Sequence, residues 1–240
     1  MTTPQTATAE MRSYEIYRRA LRIFLALCIL LAPLLLVFWF GLCPTGANDA
    51  ACPDQGSSLS VVAAFRAMNP QLRQVFLALT LVIPFVYPLS YFGLGTLAVR
   101  RAPWLATPGV ACGFTAGVVW AAIAGQIALL DGTAQIAPNP VFVTIENHFY
   151  ANWMVLTLGA FWVIGHLAGY ALLGFALWRA RAIPLWAALV FILSAPLMGP
   201  IAYGTNQGFL QILGFALIFI ASIPAALAML HGRDEQPLVE

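Results

Sequence analysis

Apolar stretches of about twenty residues recur along the chain. Short segments carrying arginine, proline and glycine separate them. Inside the stretches, polar positions return at helical rather than alternating spacing. A helix needs about 20 residues to cross roughly 30 Å of hydrocarbon, and in lipid each span must satisfy its own backbone. The pattern predicts an all-α, polytopic transmembrane helix bundle of six spans, near 23–42, 74–98, 109–130, 151–177, 184–203 and 208–230. The alternating strands that mark a membrane barrel are absent from the pattern.

The segments outside the spans divide the chain further. Residues 1–22 read as a cytoplasmic tail, with MTTPQTATA (1–9) unstructured and 10–22 a short surface helix in which Glu15 and Arg19 have i,i+4 spacing. The outer loop 43–73 is the longest. Its VVAAFRAM (61–68) reads as an interfacial helix, and Asn69-Pro70 as the N-cap and first-turn proline of the second span. Residues 23–230 form the membrane domain, and 231–240 a loose cytoplasmic C-terminal tail.

Composition agrees with a membrane solvent. The 240 residues are 61% hydrophobic and 8% charged, against about 25% charged in soluble domains. All eleven basic residues are arginine, a bias that fits a GC-rich bacterial genome. A net charge of +2 excludes nucleic acid as an expected partner.

Arginine placement sets the orientation. Arg12, Arg18, Arg19, Arg22, Arg100, Arg101, Arg179, Arg181 and Arg233 fall on one side of a six-span bundle, and only Arg66 and Arg73 on the other. Both termini are therefore expected in the cytoplasm of a bacterial plasma (inner) membrane protein. Trp39 and Trp153 fall near outer ends, and Trp104, Trp178 and Trp186 near inner ends, as an aromatic belt would. The first apolar run is too long for a signal peptide, and no small-residue cleavage site follows it.

Cys43 and Cys52 flank eight residues of the outer loop, on an oxidising face, so a disulfide is expected there. A redox pair is disfavoured without a C-x-x-C. Cys28 and Cys112 lie inside spans as small packing residues.

The third span carries Gly109, Gly113, Gly117, Ala121 and Gly125, one small residue every fourth position, and Gly165 and Gly169 repeat the motif in the fourth. Such stripes let another helix approach closely. Whether that neighbour is in the same chain is not set by the spacing. Pro33, Pro84, Pro88 and Pro196 lie inside spans, and the pair in the second span predicts the strongest bend. The runs LGTLAVRRAPW (94–104) and LGFALWRARAIPLW (173–186) share Leu-Gly, two arginines, Pro and Trp. They are either a duplicated hairpin or two solutions to one turn.

Within the fourth span, His166 is an ionisable ring in an apolar field. At 100° per residue, Tyr170 and Asn152 lie about 40° from it, and His148 on the same line if the helix reaches that far. In the second span Tyr87 and Tyr91 share a face with Thr80, and in the sixth Gln207 and Gln211 share one with Gly214 and Ser222. Polar faces should turn away from lipid. The candidate ligand cavity is therefore His166, Tyr170, Asn152, Tyr87, Tyr91, Gln207 and Gln211, with Glu146 and His148 at its mouth beside Tyr203 and Asn206. The plainer reading is that these side chains only join helices, at roughly 0.6 kcal/mol each.

Several chemistries are excluded or weak. His148 and His166 are about 27 Å apart along a helix, too far for one haem. Glu146 and His148 alone make a poor zinc site. No H-E-x-x-H, G-x-S-x-G or Walker sequence is present, and the rhomboid serine motif is missing. No cofactor, metal or catalytic residue is expected.

The run GHLAGYALLGFALWRARAIPLWAALVFILSAP (165–196), with the long first outer loop, resembles uncharacterised bacterial six-span integral membrane proteins. The resemblance covers most of the chain and carries no catalytic or binding residues. Three functions follow in order of expectation. The first is binding or transport of a small solute through an outer-facing polar cavity. The second is a non-catalytic partner or sensor subunit of another membrane complex. The third is an intramembrane enzyme on a lipid substrate. The expected partners are the lipid bilayer and a second copy of the chain or another membrane protein.

Overall fold

The computed structural model describes residues 4–43, 59–136, 140–198 and 208–232. Among these residues there are eight helices and no strand: α1 Pro4–Leu42, α2 Leu59–Ala67, α3 Pro70–Ala98, α4 Pro103–Gln135, α5 Pro140–Tyr150, α6 Trp153–Arg179, α7 Leu185–Pro196 and α8 Gly208–Leu230. Five of them, α1, α3, α4, α6 and α8, are long and apolar enough to cross a membrane. The chain is thus an all-helical, multi-pass membrane protein.

The expected fifth span, 184–203, is represented by α7, whose twelve residues extend about 18 Å, short of a full crossing. Residues 199–207 lie outside the described residues, and with them Tyr203, Asn206 and Gln207. At the other end, the surface helix expected over 10–22 and the first span are one continuous helix, α1, which already begins at Pro4. No capping residue or glycine interrupts the run between them, so backbone bonding continues.

Local signals account for several boundaries. Asn69 caps α3, its side chain accepting from Gln71 N and Leu72 N, with Pro70 in the first turn. Asn152 caps α6 by accepting from Met154 N. α6 ends in a Schellman arrangement, with Ala182 N donating to Leu177 O and Arg181 N to Trp178 O. Arg181 takes the left-handed position at φ 56°, where glycine is usual.

The most extensive contacts are α4 with α6, α1 with α8, and α3 with both α4 and α1; α7 packs on α6 and α8. The small-residue stripes explain the first of these. A Cβ at Gly165 would lie 2.7 Å from Cys112 O, and one at Gly169 would lie 3.1 Å from Gly113 N and 3.3 Å from Gly109 O. Glycine on both helices lets backbone meet backbone. The neighbour of the third-span stripe is thus in the same chain. Gly117 receives Pro88, where an added carbon would lie 2.6 Å from the ring. Gly125 has nothing within 4 Å and faces outward.

Large apolar side chains such as Leu81, Phe85, Ile164 and Leu193 are exposed. This is the surface that lipid requires. Trp104, Trp153, Trp178 and Trp186 are also exposed, as belt residues should be. Trp39 is a correction: it is buried, and its indole donates to Thr80 Oγ1 at 2.8 Å. An indole N–H can turn inward when a neighbouring helix supplies an acceptor. α2 is also more than a surface helix, because Val62 and Phe65 are buried. Near it, Arg73 pairs with Asp131 at 3.5 Å, and Gln135 donates to the same carboxylate. Asp131 falls inside α4 because that helix runs five residues beyond the expected end of its span.

Candidate functional site

The face of α6 that carries Trp162, His166 and Tyr170 is buried, with one aromatic ring per turn. Gly113 and Gly169 leave a slot between α4 and α6, and the ring of Tyr91 from α3 fills it. That wedge brings two tyrosines of α3 to the histidine. Tyr87 is hydrogen-bonded to His166 Nδ1. The Tyr87 and Tyr91 hydroxyls are 2.8 Å apart, and Tyr91 donates to the His166 carbonyl at 3.2 Å. The Tyr170 ring, one turn on in α6, packs 4.8 Å from Tyr91 and 6.4 Å from Tyr87, centroid to centroid.

A hydroxyl has one hydrogen to give, and either end of the Tyr87–Tyr91 and Tyr87–His166 bonds can supply it.

Rings close the site. His166 lies 5.0 Å from Trp162, 5.2 Å from Tyr170, 5.2 Å from Phe215 of α8 and 5.9 Å from Tyr87, centroid to centroid. These separations are typical of packed aromatic pairs. The wall continues through Trp162–Trp120 at 4.7 Å, Trp120–Trp39 at 5.0 Å and Trp39–Phe76 at 5.2 Å. On the other side Tyr170 stacks on Phe191 of α7 at 5.7 Å. Between His166 and α8 a crevice remains, bounded by Phe40, Trp162, Met198, Gln211 and Phe215. It holds about 10 Å³, room for no more than a single water.

The structure therefore brings together His166, Tyr170, Tyr87 and Tyr91, with Gln211 across the crevice. It does not bring Asn152 or His148. The helix carrying His166 does not reach 148: it starts at Trp153, so Asn152 is an exposed cap and His148 sits on α5, also exposed. Glu146 is on α5, but its side chain is outside what is described, as is Gln207. Cys43 is disulfide-bonded, while Cys52 lies outside the described residues. Sequence reasoning missed Trp162, Trp120, Trp39 and Phe215. The i,i+4 run Trp162–His166–Tyr170 was the available signal for the first. Among the described residues no group of three His, Cys, Asp or Glu side chains converges on a metal position.

Comparison with known proteins gives no matching family model, no matching curated protein and no matching solved structure. The fold and site define a class: a multi-pass helical membrane protein with a buried histidine–tyrosine cluster packed against aromatic rings.

Proposed function

We propose that this chain is a non-catalytic membrane subunit, a partner or sensor within a larger membrane assembly, and that the His166 cluster clamps its bundle. The supporting observation is that, among the described residues, aromatic rings pack directly on the imidazole and leave about 10 Å³ beside it. A solute would need α6 and α8 to separate first. We place the protein in a bacterial inner membrane, with six crossings and both termini inside. The arginine distribution supports that orientation.

A second reading, solute binding through a polar cavity, draws on one feature. The polar groups bounding the crevice are His166 and Gln211, both buried. One experiment separates the two. Cysteine is placed at 166 in a background free of the native cysteines, and labelled with a small charged thiol reagent. Labelling no faster than at lipid-facing Ile164→Cys supports the sealed clamp; fast labelling from outside supports the cavity and rejects the clamp. The same chemistry tests orientation. Ile136→Cys should react in intact cells, and Arg100→Cys only after permeabilisation.

A further inference from the structure

A second concavity lies on the lipid-facing side, between the last turns of α3 and the first turns of α4. It is bounded by Phe92, Gly95, Thr96, Val99, Thr107 and Val110 and holds about 170 Å³. That exceeds the roughly 150 Å³ of an apolar cavity that accepts benzene. Its lining is almost wholly apolar, and the Thr96 hydroxyl is turned back onto Gly93 O at 2.7 Å. In a membrane, the occupant of such a groove is an acyl chain.

Charge at one end adds selectivity. The turn 99–102 that closes the groove carries Arg100 and Arg101. Arg101 donates to Ala180 O at 2.9 Å, so this turn touches the turn bearing Arg179 and Arg181. The two arginine-bearing turns therefore meet at one end of the bundle, and Arg100 directly follows Val99 of the groove wall. Exposed Trp104, Trp178 and Trp186 stand at the same end and mark the headgroup level. Phe92 lies two turns of helix below Val99, about 10 Å deeper, along the direction an acyl chain would take.

We propose that this groove is a binding site for an anionic phospholipid, with one acyl chain between Phe92 and Thr107 and the phosphate on Arg100. Arginine suits that role because its planar fork meets phosphate oxygens in pairs. Arg101 is already committed to the Ala180 carbonyl, which leaves Arg100, exposed beside the groove, as the principal headgroup contact.

The test uses the full chain, purified in detergent and mixed with equal amounts of phosphatidylglycerol and phosphatidylcholine of the same chains. Bound lipid is counted by native mass spectrometry. The wild type should retain phosphatidylglycerol about five-fold over phosphatidylcholine. Arg100→Ala should bring the ratio towards one, and Arg100→Lys should keep most of it. Thr107→Trp, which fills the groove from an exposed position, should lower both adducts. Arg66→Ala, at the far end of the bundle, should change neither. Equal retention by the wild type, an unchanged ratio in Arg100→Ala, an unchanged adduct in Thr107→Trp, or an equal effect of Arg66→Ala would each overturn the proposal.

Discussion

Replacing Gly113 with alanine tests the packing that makes the site possible. The added carbon would lie 1.8 Å from Tyr91 Cδ1 and 2.1 Å from its Cγ. The ring root cannot swing away as a flexible chain end would, because Tyr91 is wedged between two glycine-lined backbones. Relief requires either spreading α3 from α4 or expelling the ring. Overpacking of this kind costs about 1–3 kcal/mol. A displaced Tyr91 also gives up its bonds to Tyr87 and to the His166 carbonyl, at about 0.6 kcal/mol each. Alanine returns about 1 kcal/mol through helix propensity. The net expectation is a destabilisation of about 1–3 kcal/mol, read by equilibrium unfolding in mixed micelles. Gly125→Ala is the internal control, because nothing lies within 4 Å of its added carbon. It should be neutral or stabilising by up to about 1 kcal/mol. In a Tyr91→Ala background the Gly113→Ala penalty should shrink, a coupling that a double-mutant cycle measures directly. Equal effects at 113 and 125, or a penalty indifferent to residue 91, would refute the wedge.

Three further outcomes follow from the same geometry. Tyr87→Phe should destabilise the bundle by about 1–2 kcal/mol, because it leaves the buried Nδ1 of His166 without its hydrogen-bond partner; an unchanged unfolding midpoint would remove Tyr87 from the clamp. Arg181→Gly should stabilise by about 1 kcal/mol by relieving a left-handed backbone at a side-chain-bearing residue, while the Schellman bonds of α6 remain; a loss of stability would mean the arginine side chain outweighs the strain. Asp131→Ala should cost no more than about 1 kcal/mol, since the pair with Arg73 is partly exposed. That cost should fall as salt rises, and a large salt-independent cost would show a more deeply held pair.

Apolar run lengths alone determined that this chain forms membrane-crossing helices, because lipid leaves backbone groups no other partners. Asn69-Pro70 marked a helix start that the structure keeps, since capping is a local event. Helical periodicity also placed His166 and Tyr170 on one face of α6, and Tyr87 and Tyr91 on one face of α3. Periodicity yields an angle around an axis, however, and says nothing of what stands opposite or at what depth. Only the tertiary structure decided that the glycine stripe of α4 receives α6 and the Tyr91 ring. Only it turned Trp39 inward, because Thr80 on a neighbouring helix offers an acceptor. His148 and Asn152 dropped out of the site because one cap at 152 ends the helical line that would have carried them inward. Whether the polar face encloses a cavity depended on side-chain volume from neighbouring helices as well as from α6 itself, and Tyr87 and Tyr91 of α3, Phe215 of α8 and Trp162 of α6 pack against it.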